Sequence, residues 1–421
     1  MKRILYGLGL SIFLIACATE KKESITLTNT SSRALTDKAV HITREELPDV
    51  PPGLNYPVLT TAQGDTIACQ LDDLNGDGTW DELFLVIDLP ANGSKELSLT
   101  WAETAPTYTT RTSIRFGKRD AKNLPVHPKT SDTLYADKIH ARLGYQPYQT
   151  DGPSFENDKV GFRHYFDGRN VKDLFGKKVA YMSPEDVGID SLGGVRDTYH
   201  VMADWGRDVL QANNSVGIGG INLMVGDSIS RMGTISGDTV TNIEYSVFNI
   251  VTEGPVRSVF DITHHNWKPF DRTYQVKERV SIWPGMYAYQ NTVSISGLSG
   301  DETLLVGIVN SNTPNAVTAL DINDEFIALF THDQQTYNRE WWLGLAIILP
   351  KENYLGYGKA PDTGRFSTSF YGKLKIEENK PVTYYAVGGW ELSDEGFKDP
   401  AYFENYIKQL AGELQAKVLV K

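Results

Sequence analysis

The chain has 421 residues, of which 40% are hydrophobic, 11% aromatic and 22% charged. That is a globular composition, and it excludes a collagen-like, coiled-coil or wholly disordered chain. A net charge of −12 repels phosphate backbones, so no nucleic-acid partner is expected, although an anionic sugar could still sit in a locally basic pocket.

The first residues read as a bacterial lipoprotein signal. Lys2 and Arg3 precede an apolar stretch over 4–15, too short to stay across a bilayer, and Ala16 places a small residue before Cys17. A signal peptide over 1–16, lipidation at Cys17 and a tether over 17–24 are therefore expected. The lipid would hold a soluble domain on the cell envelope, at the outer membrane, facing the periplasm or the surface. A plain secretory signal with an incidental cysteine is the simpler alternative. Cys69 stands alone, so no disulfide framework is predicted, and it reads as a core filler.

Beyond the tether the chain reads as mostly β. Short alternating runs occur at 25–29, 57–71, 82–89, 96–102, 256–263, 274–283, 288–296, 304–308 and 382–387, punctuated by Gly, Asn, Asp and Pro. With no βα alternation, a parallel sheet is disfavoured. The predicted fold is a large antiparallel β-sandwich, with a small N-terminal β region over 25–105, a catalytic sandwich over 106–421 and one C-terminal helix. The Thr-rich stretch 104–112 is a candidate join, though the smaller region reads equally as the first strands of one large sandwich. The helix is predicted over 399–416: Asp399 caps it, Pro400 suits its first position, and Phe403, Ile407, Leu410 and Leu414 share a face.

The loop over 73–82 places Asp73, Asn75, Asp77 and Asp81 at positions 1, 3, 5 and 9, with a glycine after the third. Alternate oxygens of this kind wrap a hard cation, so a structural calcium is expected there. A metal-free hairpin rich in Asx and Gly turns is the alternative. No cofactor for catalysis is signalled.

The densest polar region is 151–214. Its opening strand alternates, so Arg163 and Tyr165 project to one side, and Glu156 and Asp158 sit in the loop before it. Tyr199, His200, Asp204, Trp205, Arg207 and Asp208 follow within ten residues. His200 titrates near working pH and suits a general acid or base, Asp204 or Asp208 can orient it, and Trp205 offers a flat face to a sugar. Buried polar groups supporting a loop would look the same one residue at a time. His264 is a weaker candidate at a cleft rim. The absence of HExxH, CxxC and GxSxG motifs leaves a zinc hydrolase or α/β-hydrolase unsupported.

The segments 73–82, 156–177, 199–210 with Gly217 to Gly220, and 389–414 resemble a family of Bacteroidota lipoproteins classed as a domain of unknown function and associated with polysaccharide-degradation loci. The block Tyr199-His200…Asp204-Trp205-Gly206…Asp208 is its most specific part. The stretch Glu253-Gly254-Pro255-Val256-Arg257 resembles a strand opening of galactose-mutarotase-like supersandwiches. The resemblance implies an oligosaccharide dehydratase, a carbon–oxygen lyase. It would act on the non-reducing-end uronate of an ulvan- or pectin-like glycan and leave a 4,5-unsaturated uronate, so the implied partner is an acidic oligosaccharide.

For such an elimination, Arg163 or Lys177 would neutralise the substrate carboxylate. His200, then Tyr165, would take the C5 proton, and Tyr165 or Tyr199 would protonate the departing hydroxyl. Glu156, Asp158 and Asp208 would bind hydroxyls or hold the base. No role is carried to His164. A non-catalytic glycan-binding lipoprotein and a glycosidase or polysaccharide lyase on the same fold are the alternatives, a hydrolase drawing its two carboxylates from Glu156 and Asp208.

Overall fold

The computed structural model describes residues 23–421 apart from 48, 49, 51 and 54. The signal segment 1–16, Cys17 and most of the tether lie outside the described residues. No helix of the described residues is long and apolar enough to cross a membrane.

The fold is mostly β, in antiparallel sheets with one long C-terminal helix. A nine-stranded sheet is its spine. The central members in spatial order are Ser258–Trp267, Tyr274–Ile282, Ala288–Ser296, Val382–Trp390 and Leu343–Pro350. Two five-stranded sheets cover one face. The first runs Gly206–Asp208, Lys172–Lys177, Val160–His164, Ser154–Asn157, Thr112–Arg115; the second is centred on Ile218–Val225 and Glu302–Val309. They meet where Lys172 N donates to Val216 O at 3.0 Å. Gly217 allows this approach: a Cβ there would lie 1.8 Å from Lys172 O. One apolar core unites the layers, with Phe155, Phe162 and Leu174 from the first sheet, Ile218 and Leu304 from the second, and Val280, Tyr289 and Val387 from the spine.

The other face of the spine takes the helix Pro400–Gln415, whose first turn Asp399 caps by accepting from Ala401 N at 2.8 Å. Gly344 and Gly389 are paired across two strands. Side chains at either position would collide with Phe403, so the two glycines make the hollow into which the helix settles.

Residues 23–102 pack around a core of their own, including Leu27, Ile42, Leu59, Leu85 and Leu99. Strand Val418–Val420 returns to pair with Glu23–Asn29 at the edge of this unit. The unit docks through Gln70. Its Oε1 accepts from Val256 N (3.1 Å) and Arg257 N (2.9 Å), and its Nε2 donates to Arg257 O (3.1 Å). Arg257 then reaches Asp72 (3.2 Å) and Glu82. The Glu253–Arg257 stretch is thus a joint between the two cores.

A charged knot lies inside the sandwich. Lys172 Nζ donates to Glu278 Oε2 (2.6 Å) and lies 3.4 Å from His164 Nδ1; His264 Nε2 is 3.5 Å from Glu278 Oε1. His164, His264 and Lys172 are fully buried. Burial, with Lys172 adding repulsion, holds both imidazoles below their ordinary pKa of 6.5, so both resist protonation in the fold. The unfolded chain then binds protons that the folded chain refuses once pH falls below that ordinary value, and stability is lost on the acid side. Denaturant unfolding of the native chain is expected to weaken more steeply from pH 7 to pH 5 than that of a His164→Gln variant. Parallel profiles would refute this.

Candidate active site

The site is built where the first five-stranded sheet runs out at its Gly206–Asp208 edge. This strand pairs with Lys172–Lys177, placing Asp208 opposite Phe175. Gly206 makes the approach possible: its φ is 141°, and a Cβ there would sit 1.8 Å from Gly176 O. On the neighbouring turn, Thr150 (φ 50°) and Asp151 (φ 63°) both adopt left-handed backbone. Two such residues in succession store strain, and here they aim the Asp151 carboxylate.

These elements surround a cavity of about 590 Å³ lined by Asp151, Tyr165, Asp167, Arg169, His200 and Asp208 among others. That is within the range of small-ligand pockets. Arg163 lies beneath it as a buried hub. Its Nη2 donates to Tyr165 Oη (2.7 Å), to Asp208 Oδ2 (2.8 Å) and to Asp173. Its guanidinium stacks on the rings of Tyr165 (4.3 Å) and Tyr199 (4.9 Å). Tyr165 Oη donates to Asp173 at 2.9 Å. Arg169 bridges Asp167 (2.6 Å) and Asp151 (3.2 Å) and covers the Tyr165 ring at 4.0 Å.

His200 is the half-open member, with 40% of its side chain exposed and Nδ1 3.5 Å from Asp208 Oδ2. Its ring lies between those of Tyr199 (4.8 Å) and Tyr337 (5.6 Å). Burial, with Arg163 adding repulsion, lowers its pKa and favours the neutral base. Burial and the neighbouring Asp173 push Asp208 well up, and burial pushes Asp151 up to about 6. Burial also raises the Tyr165 phenol well above 10, so it stays protonated. The cavity therefore presents a neutral imidazole and a carboxyl poised to hold a proton, which is equipment for proton transfer.

Of the residues singled out in the sequence, only His200, Tyr165 and Asp208 line the cavity. Arg163 is fully buried beneath them. Lys177 is buried against Glu156 at 2.5 Å and donates to Asn157 O at 2.6 Å. Neither cation is open to a substrate carboxylate, which corrects the role expected for both. Glu156 is also committed, to Lys177 and Arg115, and does not reach the cavity. Asp158 binds Arg111 at 2.6 Å and Gly285 N at 2.9 Å, away from the site. Trp205 is 5% exposed and packs on Phe175, so it offers no open sugar face. Tyr199 is buried and donates to Asp197 at 2.8 Å. Arg207 is held by Asp208 O and Glu340, Asp204 is exposed on the turn before Trp205, and His264 belongs to the buried knot, not to a rim. Asp151, Asp167, Arg169 and Tyr337 complete the site without having been singled out. The first three do fall in the charge-dense stretch.

In the loop 73–82, Asp73 accepts from Gly76 N and Gly78 N, Asn75 from Asp77 N, Asp77 from Thr79 N, and Asp81 from Leu74 N. Among the described residues, no group of three or more His, Cys, Asp or Glu side chains is gathered for a metal.

Fold and cavity together define an antiparallel β-sandwich protein with a cavity lined by titratable side chains at one sheet edge. Residues 27–420 match the profile of DUF4861, a domain of unknown function, and the chain belongs to this family. A protein of Formosa agariphila, Uncharacterized protein P7, is 23% identical over 302 residues, which is 67% of this chain and 70% of that protein. Two solved structures from Enterococcus faecalis are similar at 10% identity and TM-score 0.48: an alpha-mannosidase, over 95% of this chain and 46% of its own, and a protein in glycosyl hydrolase family 38, over 96% and 48%. The chain spans just under half the length of each. With Arg163 and Lys177 both sealed against protein carboxylates, the carbon–oxygen lyase expected from the sequence lacks the cations it needs and is withdrawn.

Proposed function

We propose that the chain processes a saccharide by hydrolysis of a glycosidic bond in this cavity. The observation that supports the reading is the presence, in one cavity lining, of a half-open His200 whose neutral form is favoured and of the buried, upward-shifted carboxyl of Asp151. Hydrolysis needs one group to protonate the leaving oxygen and another to take a proton from water. Asp151 supplies the first and His200 the second, with the Asp208 carboxyl 3.5 Å from the His200 Nδ1. As the C–O bond breaks, the Asp151 proton passes to the leaving oxygen, the water oxygen bonds to the anomeric carbon, and the water proton passes to His200. The test is a panel of neutral and acidic oligosaccharides assayed for reducing ends and product mass together. New reducing ends with the gain of one water are expected. Binding without turnover would overturn the reading in favour of a binding protein. A conjugated product without added water would overturn hydrolysis.

We also propose that the loop 73–82 takes calcium in a structural role, supported by the spacing of Asp73, Asn75, Asp77 and Asp81. Calcium over EGTA is expected to raise Tm, by about 2.7 kcal/mol of stability at a hundred times Kd, and Asp77→Ala to abolish the rise. No difference between calcium and EGTA would overturn it.

A further inference from the structure

Arg231 lines the same cavity and is 6% exposed. Its Nη2 donates to Arg169 O at 2.8 Å and to Thr234 O at 3.3 Å. Its Nε and Nη1 are buried and have no partner. A buried guanidinium is ordinarily matched by a carboxylate, because an unpaired buried charge costs several kcal/mol. The carboxylates near Arg231 are committed elsewhere: Asp167 to Arg169 at 2.6 Å, and Asp238 to Arg365. Burial and the neighbouring Arg365 and Arg169 both disfavour its charge, with only Asp167 opposing. Among the described residues of the cavity, Arg231 is the arginine without a carboxylate. Gln211 and Asn213 line the same space with side-chain amides that have no protein partner among the described residues.

We propose that Arg231 is a specificity-determining residue that receives an oxyanion substituent of the bound saccharide, a carboxylate or a sulfate or phosphate ester, while the neighbouring amides take hydroxyls. The inference rests on the reading of the cavity as a saccharide site, but not on hydrolysis. An oxyanion supplies the missing acceptors and matches the planar fork of the guanidinium, where a hydroxyl would leave the charge uncompensated. The sugar's anion would thus complete an ion pair that the fold leaves half made. Arg163 and Arg169 do not compete for it, since protein carboxylates already hold them.

The test is calorimetric binding of matched pairs that differ in one substituent: glucuronate against glucose, galacturonate against galactose, and glucose 6-sulfate and mannose 6-phosphate against their parent sugars. At least one anionic member is expected to bind about 10- to 100-fold tighter than its neutral partner, as a charge-assisted bidentate contact allows. The arms distinguish carboxylate from sulfate and phosphate. R231Q is expected to erase the preference, weakening the anionic member far more than the neutral one, and R231K to restore part of it. Equal binding of both members by the native protein would overturn the inference while leaving the saccharide site standing. Equal weakening of both members by R231Q would overturn it too, reducing Arg231 to a brace for the turn at Thr234. Should R231Q fail to fold, the native ratio and R231K still decide. Binding of no member would overturn this inference and the saccharide reading together, whereas anion-selective binding without turnover would overturn hydrolysis alone.

Discussion

Replacing His200 with alanine is expected to lower kcat about 100- to 10,000-fold on any glycoside the cavity turns over, the range typical of a general base. KM should change little, because the half-open ring touches the proton more than the sugar. The pH profile carries a second signature. The base form of His200 is lost as pH falls through a value depressed below 6.5. The acid form of Asp151 is lost as pH rises through about 6. kcat/KM, which reports the free enzyme, should therefore trace a narrow bell centred on mildly acidic pH, and His200→Ala should remove its acid limb. If His200→Ala raises KM alone and keeps the bell, the imidazole binds substrate and some other group moves the proton.

Arg163→Met is expected to cost about 3–5 kcal/mol of stability, the usual penalty for stripping one partner from a buried ion pair. Arg163 is fully buried and joins Asp173, Asp208 and Tyr165. Its loss strands two carboxylates without a counter-charge. A second change, Asp173→Asn, should recover part of the loss, so the two substitutions together should cost less than their sum. The measurement is the denaturant midpoint of the four proteins in the cycle. Additive costs would mean that Arg163 contributes by packing on the rings of Tyr165, Phe175 and Tyr199 and not by charge.

The antiparallel sheets and the helix were legible because their signals are local. Alternation marks a half-buried strand, and Asp399-Pro400 followed by Phe403, Ile407 and Leu410 marks a capped amphipathic helix. The candidate site was legible in part. Tyr165, His200 and Asp208 lie in stretches dense in polar residues, and density is visible in one dimension. Which cations stay free is not, because it depends on who is bound to whom. Arg163 and Lys177 look like substrate receptors in the sequence, and both are sealed by Asp173, Asp208 and Glu156 from strands elsewhere in the sheet. Arg231 shows nothing in Ser230-Arg231-Met232. It becomes conspicuous only when the fold withholds a carboxylate. Trp205 misled for a related reason: Gly206 turns it inward against Phe175 while bringing Asp208 to the edge.

The pairing of Val418–Val420 with Glu23–Asn29 bears on how the chain is made. Residues nearly four hundred positions apart share one ladder, so Glu23–Asn29 waits for its outer neighbour until the chain has been made through residue 420. Through that interval the backbone donors and acceptors on the Glu23–Asn29 edge face solvent, open to any strand that passes. Val418–Val420 therefore works as a latch thrown late. It converts an adhesive border into a finished one, and a nascent or clipped chain without it would be the form that aggregates.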